Sequence, residues 1–206
     1  MGGEQPAGSE RPDTGSAGDR PRTIVAQNTG RCVEDGYPDG AVKLHLGSGR
    51  HRWDGWINVD FDDRADIQCD LKTLPFEDGY ADVAVAVHVI EHFYQWEALP
   101  VLLEWRRVLK PGGKLILELP SMDKVLRYVT YCVERGQPPA PFMSWLVFWG
   151  DPKHKSVEMC HKWGYTTLML KELLLRAGFT GIEQQTPRYH FPFRDMRVVA
   201  VNPSST

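Results

Sequence analysis

Three polar motifs, each placed directly after a strand-like apolar run, are the first candidates for a binding site. Gly47, Ser48 and Gly49 follow the first run, Asp60 ends the second and Asp70 follows the third. The two glycines lack side chains and let a ligand approach the main chain. A carboxylate at the second position accepts two hydrogen bonds from a ribose diol, and one at the third accepts from an adenine amino group. The order of the motifs therefore predicts a site for an adenosine-containing ligand.

Four histidines and a glutamate form a second set of candidates. His88 leaves the fourth apolar run at the expected ligand edge, and His92 follows about one helical turn later. If their segment is helical, His154, Glu158 and His161 share one face of the helix. Histidine accepts protons near neutral pH, so we expect His88 first, and His161 or His154 second, as general base, with Glu158 as orienter. A divalent-metal site and a solvated helix face are the alternatives for the later group.

Residues 137–149 form a segment rich in proline and aromatic side chains. Trp145 and Trp149 are one helical turn apart and offer flat faces against which a sugar ring packs. We assign both tryptophans, together with His92 and Tyr165, to binding of a second substrate. A dimer interface or a local core would use the same tryptophans, and these two interpretations stay open.

Strands must position the polar motifs at one edge of a sheet. The sequence predicts six of them, at residues 42–46, 56–59, 65–69, 81–89, 114–119 and 196–201. The fourth is almost continuously apolar, as expected for a central parallel strand that is covered on both faces.

Two helices are predicted between these strands. The apolar positions of the first follow helical spacing: Val101, Leu102, Trp105, Val108 and Leu109. Pro100 stands near its first turn and residues 111–113 end it, whereas the second helix covers about 167–177 with Gly178 as its C-terminal cap. Strands that alternate with helices indicate an α/β fold with a Rossmann-like, doubly wound and mostly parallel sheet.

The chain of 206 residues fits one domain. Residues 1–22 contain few large apolar side chains and predict a disordered tail, which leaves a single domain at 23–206. Within it, an insertion at about 121–165 is expected to form an aromatic lid. The formal net charge of −3 supplies no basic field for nucleic acid, so we predict no nucleic-acid partner.

Four widely spaced cysteines without a Cys-x-x-Cys pair suit a reducing compartment. No segment has the pattern of a signal peptide or the length of a membrane span, so we predict a cytoplasmic protein. The expected partners are a small-molecule or oligosaccharide substrate and, among protein partners, a second copy of the chain.

Seven segments stand in a characteristic order: Leu44-His45-Leu46-Gly47-Ser48-Gly49, Gly55-Trp56-Ile57-Asn58-Val59-Asp60, Cys69-Asp70-Leu71, Leu74-Pro75-Phe76, Ala81-Asp82-Val83, His88-Val89-Ile90-Glu91-His92 and Leu109-Lys110-Pro111-Gly112-Gly113. They resemble the ordered motifs of class I methyltransferases that use S-adenosylmethionine (SAM), and among these the methyltransferase-11-like group. The resemblance is strong over residues 42–120 and loose over residues 160–205.

The resemblance implies that SAM is the cofactor and that its three parts lie along the three motifs. The glycine-rich turn would hold the methionine part, Asp60 the ribose and Asp70 the adenine. The full set of expected cofactor contacts is Gly47, Ser48, Gly49, Arg50, Asp60, Phe61, Asp70, Leu71, Val87 and His88.

The first crossover departs from the group's usual pattern. Arg50 stands in place of the third glycine, and only residues 50–55 separate Gly49 from Trp56. This connection is too short for a full helix, so we expect an abbreviated first crossover. Arg50 would then meet the cofactor carboxylate in place of helix amides, or it faces solvent.

Three other functions were weighed against methyl transfer. A nicotinamide dehydrogenase needs a small residue where Arg52 stands. The segment 88–92 matches an H-x-x-E-H zinc-peptidase pattern, but it begins within a buried strand and lacks an evident distal carboxylate ligand. No clear motif assigns a metal, so we predict none, although a divalent ion remains compatible with the chain. A non-catalytic binding domain on the same fold is the third alternative.

A hydroxyl oxygen is the acceptor that we expect. The Asn-Pro-Pro-Tyr type of motif that holds amino groups is absent after the fourth strand, where Val87-His88-Val89-Ile90 stands. The sequence also resembles methyltransferases of polysaccharide gene clusters, which share the Gly-Trp-Ile-Asn-Val-Asp second strand. This resemblance and the aromatic segment favour a sugar or oligosaccharide hydroxyl, as in methylated mannose polysaccharides. A lipid-like or aromatic small molecule is the alternative.

Overall fold

A computed structural model describes residue 34 and residues 36–204, and a seven-stranded sheet forms its centre. The strands are β1 (Lys43–Leu46), β2 (Ile57–Asp60), β3 (Ile67–Gln68), β4 (Ala81–Val87), β5 (Leu109–Pro120), β6 (Thr180–Gln185) and β7 (Asp195–Val201). Their order in the sheet is β3-β2-β1-β4-β5-β7-β6. Only β7 runs antiparallel to its neighbours. The predicted Rossmann-like, mostly parallel sheet is confirmed, whereas the tail predicted at 1–22 lies outside the described residues.

Four α-helices accompany the described strands: α1 (Gln95–Arg107), α2 (Met122–Glu134), α3 (Trp145–Trp149) and α4 (Thr167–Arg176). Short 3-10 helices occupy Ile90–His92, Pro141–Met143 and Pro152–His154. In the described residues no helix has both the length and the apolar composition needed to cross a membrane.

One face of the sheet packs against α1 and α4. Trp105 of α1 is fully buried, and its Nε1 donates a hydrogen bond to the Leu71 carbonyl at 2.9 Å. Leu170 and Leu174 of α4 belong to the same apolar cluster. This layer explains the helical spacing seen in the sequence, because its apolar positions are those that face the sheet.

Several predicted boundaries differ from the structure. Pro100 is the sixth residue of α1 rather than part of its first turn, so no hydrogen bond reaches the Trp96 carbonyl from that position. The helix ends at Arg107, and β5 begins at Leu109, ahead of the Pro-Gly-Gly segment predicted to end the helix. The fourth strand stops at Val87 because the chain turns into a 3-10 helix at Ile90.

The first crossover contains no helix, which confirms its predicted abbreviation. Residues 47–56 connect β1 to β2, and two tryptophans from this connection cover the second face of the sheet. The Trp53 ring stacks on His45 with centroids 3.6 Å apart and on Tyr189 at 4.8 Å. Trp56 packs edge-on against Trp53 at 5.2 Å. Large aromatic side chains thus supply apolar cover that a crossover helix supplies elsewhere.

Ion pairs hold residue 34 against the second face of the sheet. Glu34 Oε1 lies 2.7 Å from Nη2 of Arg197, a β7 side chain that is 1% exposed. Arg197 Nη1 lies 3.6 Å from Oε2 of Glu118 on β5. The Glu118 carboxylate also accepts main-chain hydrogen bonds from residues 188, 189 and 190. The segment ahead of β1 is therefore tied to the middle of the sheet.

Candidate active site

The glycine-rich turn is shaped by close contact with the end of β4. Gly47 has a φ of 70°, and a Cβ built on it would lie 2.3 Å from Cγ2 of Val89. The Gly47 and Ser48 amides both donate to the Val59 carbonyl, at 2.8 and 3.2 Å. Ser48 Oγ is buried and has no hydrogen-bond partner among the described residues. The turn therefore combines a side-chain-free cradle with a polar atom left for a ligand.

Asp60, the last residue of β2, holds this turn in place. Its Oδ2 accepts a hydrogen bond from the Gly49 amide at 2.7 Å, and its Oδ1 accepts from the Asp62 amide at 3.0 Å. The residue is 5% exposed, and each oxygen keeps a second lone pair for a ribose hydroxyl. Phe61 follows with 60% of its surface exposed, and offers a flat apolar face beside the carboxylate. This geometry fits the cofactor roles predicted for both residues.

Asp70 lies two residues beyond β3 at the same edge of the sheet. Its Oδ1 accepts from the Lys72 amide at 2.9 Å, and the carboxylate is largely exposed. The Leu71 carbonyl already accepts a hydrogen bond from Trp105. The Leu71 N–H is therefore the main-chain group of this residue that can contact an adenine ring. Arg50 is exposed beside the turn, and Val87 is half-buried at the end of β4. All predicted cofactor residues thus occupy the carboxyl-terminal edge of β1 to β4, where open α/β sheets bind ligands.

His88 lies at this edge as predicted, but its surroundings oppose the role of base. Its Nδ1 is 3.1 Å from Glu91 Oε1 and its Nε2 is 3.4 Å from Asp195 Oδ2. Burial alone would lower the pKa of His88, but the two carboxylates raise it to about 9. The two carboxylates thus favour the protonated imidazole, although Arg194 Nη2 also lies 3.4 Å from its Nε2. A group with a raised pKa is a poor proton acceptor at neutral pH, so this geometry does not favour His88 as base, and its catalytic role stays a prediction.

Asp195, the first residue of β7, completes the surroundings of His88. Arg194 holds the same carboxylate through two hydrogen bonds, from Nε at 2.6 Å and from Nη2 at 2.8 Å. Burial raises the pKa of Asp195, but His88 and Arg194 lower it further, so the carboxylate is ionised. The His190 ring lies 4.3 Å from the His88 ring, and burial followed by the charge of His88 lowers the pKa of His190 to about 3. His88 and Arg194 thus lie beside two carboxylates, those of Asp195 and Glu91, with a neutral His190 next to them.

A second cluster brings together Glu91, His92 and His161. One donor atom from each lies within 4.8 Å of the other two, and the two imidazole rings are 4.9 Å apart. The main chain holds this arrangement, because the Lys162 and Trp163 amides donate to the Glu91 carbonyl at 2.8 and 3.2 Å. His161, one of the predicted candidates, therefore reaches the end of β4 from an insertion that follows β5.

His154 and Glu158 do not join His161. Residues 152–154 form a 3-10 helix, and Lys155 adopts a left-handed conformation with a φ of 49°. The expected helix with three side chains on one face is therefore absent, and His154 and Glu158 are exposed. Glu158 accepts a hydrogen bond from Ser156 Oγ instead of orienting a histidine. Of the acid/base group predicted at 154–161, His161 alone lies in the cluster with Glu91 and His92.

The predicted substrate-binding residues divide into surface and buried positions. Trp145 and Trp149 at the two ends of α3 are 51% and 70% exposed. Tyr165 is buried instead, and its hydroxyl has no hydrogen-bond partner among the described residues. Burial, followed by the negative charge of Glu91, raises the pKa of Tyr165, which keeps the phenol neutral. Of the predicted substrate-binding residues, the two tryptophans are the ones that present open aromatic faces.

Part of the chain is similar to a known protein family. Residues 50–117 match the family model described as a methyltransferase domain. This match begins just after the glycine-rich turn, ends within β5, and includes Asp60, Asp70 and the residues that follow β4. The protein is a SAM-dependent methyltransferase. SAM is its cofactor, and the seven-stranded order agrees with the Rossmann-like fold of class I methyltransferases.

Solved structures agree with the methyltransferase fold. A SAM-dependent methyltransferase from Methanosarcina mazei aligns over 82% of this chain and 95% of its own, with 17% identity and a TM-score of 0.55. A possible histamine N-methyltransferase from Thermotoga maritima aligns over 81% and 84%, with 17% identity and a TM-score of 0.53. The Burkholderia thailandensis 1,6-didemethyltoxoflavin-N1-methyltransferase, solved with S-adenosylhomocysteine, aligns over 80% and 72%, with 17% identity and a TM-score of 0.54. No curated protein matches the chain. At this identity the structures establish the fold of the methyltransferase and leave its acceptor open.

The sequence did not predict the positions of two carboxylates of the methyltransferase, those of Asp195 and Glu91. Asp195 is 107 residues away from His88 along the chain, and no spacing pattern joins residues across that distance. The sequence places Glu91 only within an H-x-x-E-H pattern, because its meeting with His161 depends on how the insertion folds back. The signal that was available is the adjacent Glu91-His92 pair directly after a buried strand.

Proposed function

We propose that this methyltransferase transfers the SAM methyl group to a hydroxyl oxygen of a sugar or oligosaccharide. The observation that carries the proposal is the meeting of Glu91, His92 and His161 beside the cofactor edge. A hydroxyl is a weak nucleophile and gains from groups that hold it and remove its proton as the carbon–oxygen bond forms. These three side chains are the groups that we assign to that task.

The aromatic helix α3 is joined directly to this cluster. His161 Nδ1 lies 2.7 Å from the Val147 carbonyl, and the His161 amide donates to the Trp149 carbonyl at 3.3 Å. We infer that an acceptor bound at His161 also contacts the exposed side chains of Trp145 and Trp149. Flat aromatic faces beside polar groups are a surface suited to a sugar ring, whose axial hydrogens pack on the ring while its hydroxyls turn outward. This supports a carbohydrate acceptor and the role of residues 121–165 as a lid.

Transfer of a labelled methyl group tests the proposal. The full chain is incubated with SAM labelled in its methyl group and with three sets of acceptors: mono- and oligosaccharides, phenols with lipid-like alcohols, and amines. We expect label in the saccharide set, recovered as a methyl ether. His161→Ala should lower turnover about 10²–10⁴-fold while its affinity for S-adenosylhomocysteine stays normal, because His161 serves the acceptor.

His154→Ala is the matched control, since His154 is exposed and lies outside the cluster. It should keep its turnover. Label confined to phenols, alcohols or amines would exclude a sugar acceptor. Binding of S-adenosylhomocysteine without transfer to any of the three sets would favour a non-catalytic binding protein on this fold.

A further inference from the structure

The cluster of Glu91, His92 and His161 has the composition of a metal site. It offers two imidazole nitrogens and one carboxylate oxygen, and the three donor atoms lie within 4.8 Å of one another. A single ion about 2.0–2.2 Å from each donor needs the donors within about 4.4 Å of one another, so the three side chains have only to draw slightly closer to share it. Two imidazoles with one carboxylate are ligands preferred by divalent first-row transition metals, whereas Mg²⁺ prefers oxygen ligands alone.

Hydrogen bonds to the main chain orient both imidazoles. His92 Nδ1 lies 3.2 Å from the Cys160 carbonyl, and His161 Nδ1 lies 2.7 Å from the Val147 carbonyl. A carbonyl accepts only, so each Nδ1 carries the hydrogen and each Nε2 keeps its lone pair. Metal-binding histidines nearly always have such a second hydrogen bond, which fixes the tautomer and the ring plane.

The Glu91 carboxylate is a separate observation in favour of a metal site. Glu91 is 2% exposed, yet neither of its oxygens has an aligned hydrogen bond among the described residues. The neighbouring hydroxyl of Tyr165 is likewise buried without a partner there. Buried carboxylates are costly unless they are paired or coordinate a metal, and the His88 contact at 3.1 Å supplies charge without an aligned hydrogen bond. Glu91 thus has coordination capacity that the described side chains leave unused.

Glu91 shares its neighbour His88 with a second carboxylate. His88 Nδ1 lies 3.1 Å from Glu91 Oε1, and its Nε2 lies 3.4 Å from Asp195 Oδ2. His88 therefore keeps a carboxylate neighbour when Glu91 turns toward a metal ion. Lys162 of the same segment places its Nζ 5.2 Å from the centre of the Tyr94 ring.

We propose that Glu91, His92 and His161 bind one divalent transition-metal ion. Glu91, His92 and His161 would supply three ligands, and a three-ligand site would leave room for a further ligand. Metal binding itself is independent of the acceptor. Its role rests on the proposed function: the ion would lower the pKa of an acceptor hydroxyl, whose proton would pass to water while the oxygen takes the methyl group and S-adenosylhomocysteine leaves. The cation then takes over the activation that a free imidazole would otherwise perform at Nε2.

Co²⁺ titration tests the site without any activity assay. The full chain, prepared without a histidine tag and dialysed against chelator, is titrated with Co²⁺ and followed by its visible d–d absorption and by calorimetry. We expect one equivalent to bind. His161→Ala should weaken Co²⁺ binding at least about 10-fold, the order of loss seen when metal-site groups are removed. Thermal melting of each variant identifies any that fails to fold, and His92→Ala then replaces His161→Ala.

Two matched controls separate the cluster from its surroundings. His154→Ala removes an exposed histidine of the same segment, and Cys160→Ser removes the thiol nearest to His161 in sequence. Both variants should bind Co²⁺ as the parent does. The site is disproved if the parent binds no Co²⁺, or if His161→Ala and His92→Ala bind it with parental affinity.

A chelator experiment distinguishes the site from the proposed function. Methyl transfer to saccharides that persists unchanged after removal of metal would support the O-methyltransferase and overturn the role of the ion. Stoichiometric Co²⁺ binding at the three ligands without transfer to saccharides would keep the metal site and reject the acceptor. Loss of transfer on chelation and its return with Mn²⁺ or Co²⁺, but not with Mg²⁺, is the result expected if both are right.

Discussion

His88 lies between Glu91 and Asp195, and this placement determines which roles in proton transfer are open to it. Its position at the end of β4 could be predicted from the apolar run before it. Its protonation state could not be predicted from the sequence, because Asp195 belongs to the distant strand β7 and Arg194 stands next to it in the chain. The same limit applies to His161, whose approach to Glu91 depends on main-chain hydrogen bonds from residues 162 and 163. Sequence patterns identified the reactive residue types, while the partners that set their charge came from distant strands and loops.

Asp60 gives a direct test of the cofactor assignment. Asp60→Ala removes the acceptor of the Gly49 amide and the predicted partner of the ribose hydroxyls. We expect affinity for S-adenosylhomocysteine, measured by calorimetry, to fall by about 1.5–3 kcal/mol, the range for hydrogen bonds to a charged group. Asp63→Ala is the control, since Asp63 is exposed in the loop that follows. Equal affinities of both variants and the parent would contradict the assignment of Asp60.

His45 links stability to pH. Burial lowers its pKa to about 4, although the Asn58 contact at 3.2 Å raises it slightly. The unfolded chain binds the proton near pH 6.5, so folding stability is complete above that pH and decreases as the pH falls toward 4. Between pH 7 and pH 5 we expect this histidine to cost about 2 kcal/mol of unfolding free energy.

Urea unfolding at the two pH values measures this cost. His45→Gln removes the titrating group, so the difference between the parent and the variant should change by that amount between pH 7 and pH 5. The remaining histidines titrate in both proteins and cancel in the comparison. A pH-independent difference would show that His45 keeps its ordinary pKa in the folded state.

At the scale of elements, the glycine-rich turn and the end of β4 are fitted to each other. The turn brings Gly47 so close to Val89 that no side chain fits between them. Both segments carry expected cofactor contacts, so their spacing sets the width of the site. The apolar runs predicted β1, β4 and the α1 layer because buried faces demand regular spacing.

Gly47→Ala tests this fit. The added methyl group would meet Val89 Cγ2 at 2.3 Å in a left-handed conformation that costs about 1–2 kcal/mol for a residue with a side chain. We expect a lower melting temperature and weaker binding of S-adenosylhomocysteine. The double variant Gly47→Ala/Val89→Ala removes the clashing methyl groups and should recover part of both losses. A double variant no better than the single one would assign the effect to backbone conformation alone.

Other elements left too weak a pattern for prediction. Strand β6 is mostly exposed at the edge of the sheet, and Ile182 is its only apolar residue. Helix α2 buries only Val125 and Cys132 of its thirteen residues. The segment 152–161 contains the spacing of a helix face, yet Pro152 and the left-handed Lys155 allow only a short turn. Local spacing alone does not decide such cases, because contacts with other elements outweigh it.

At the scale of the whole molecule, the sheet has unequal faces. Helices α1 and α4 cover one face, and the aromatic rings of Trp53, Trp56 and Tyr189 pack on the other. The sequence predicted the missing crossover helix from the short connection after Gly49. It did not predict which residues replace that helix, because Tyr189 comes from the distant connection between β6 and β7.

The buried ion pairs of Arg197 have a consequence for the order in which the molecule is assembled on the ribosome. Arg197 belongs to β7, the last of the seven strands to be synthesised, yet β7 lies between β5 and β6 in the sheet. Glu34, its partner at 2.7 Å, leaves the ribosome long before it. Domains fold largely as units during synthesis. Until β7 inserts, the edges of β5 and β6 that pair with it are open, and Glu34 lacks the Arg197 counter-charge. A nascent chain that stops before residue 195 therefore contains the strands of the cofactor site in an incomplete sheet.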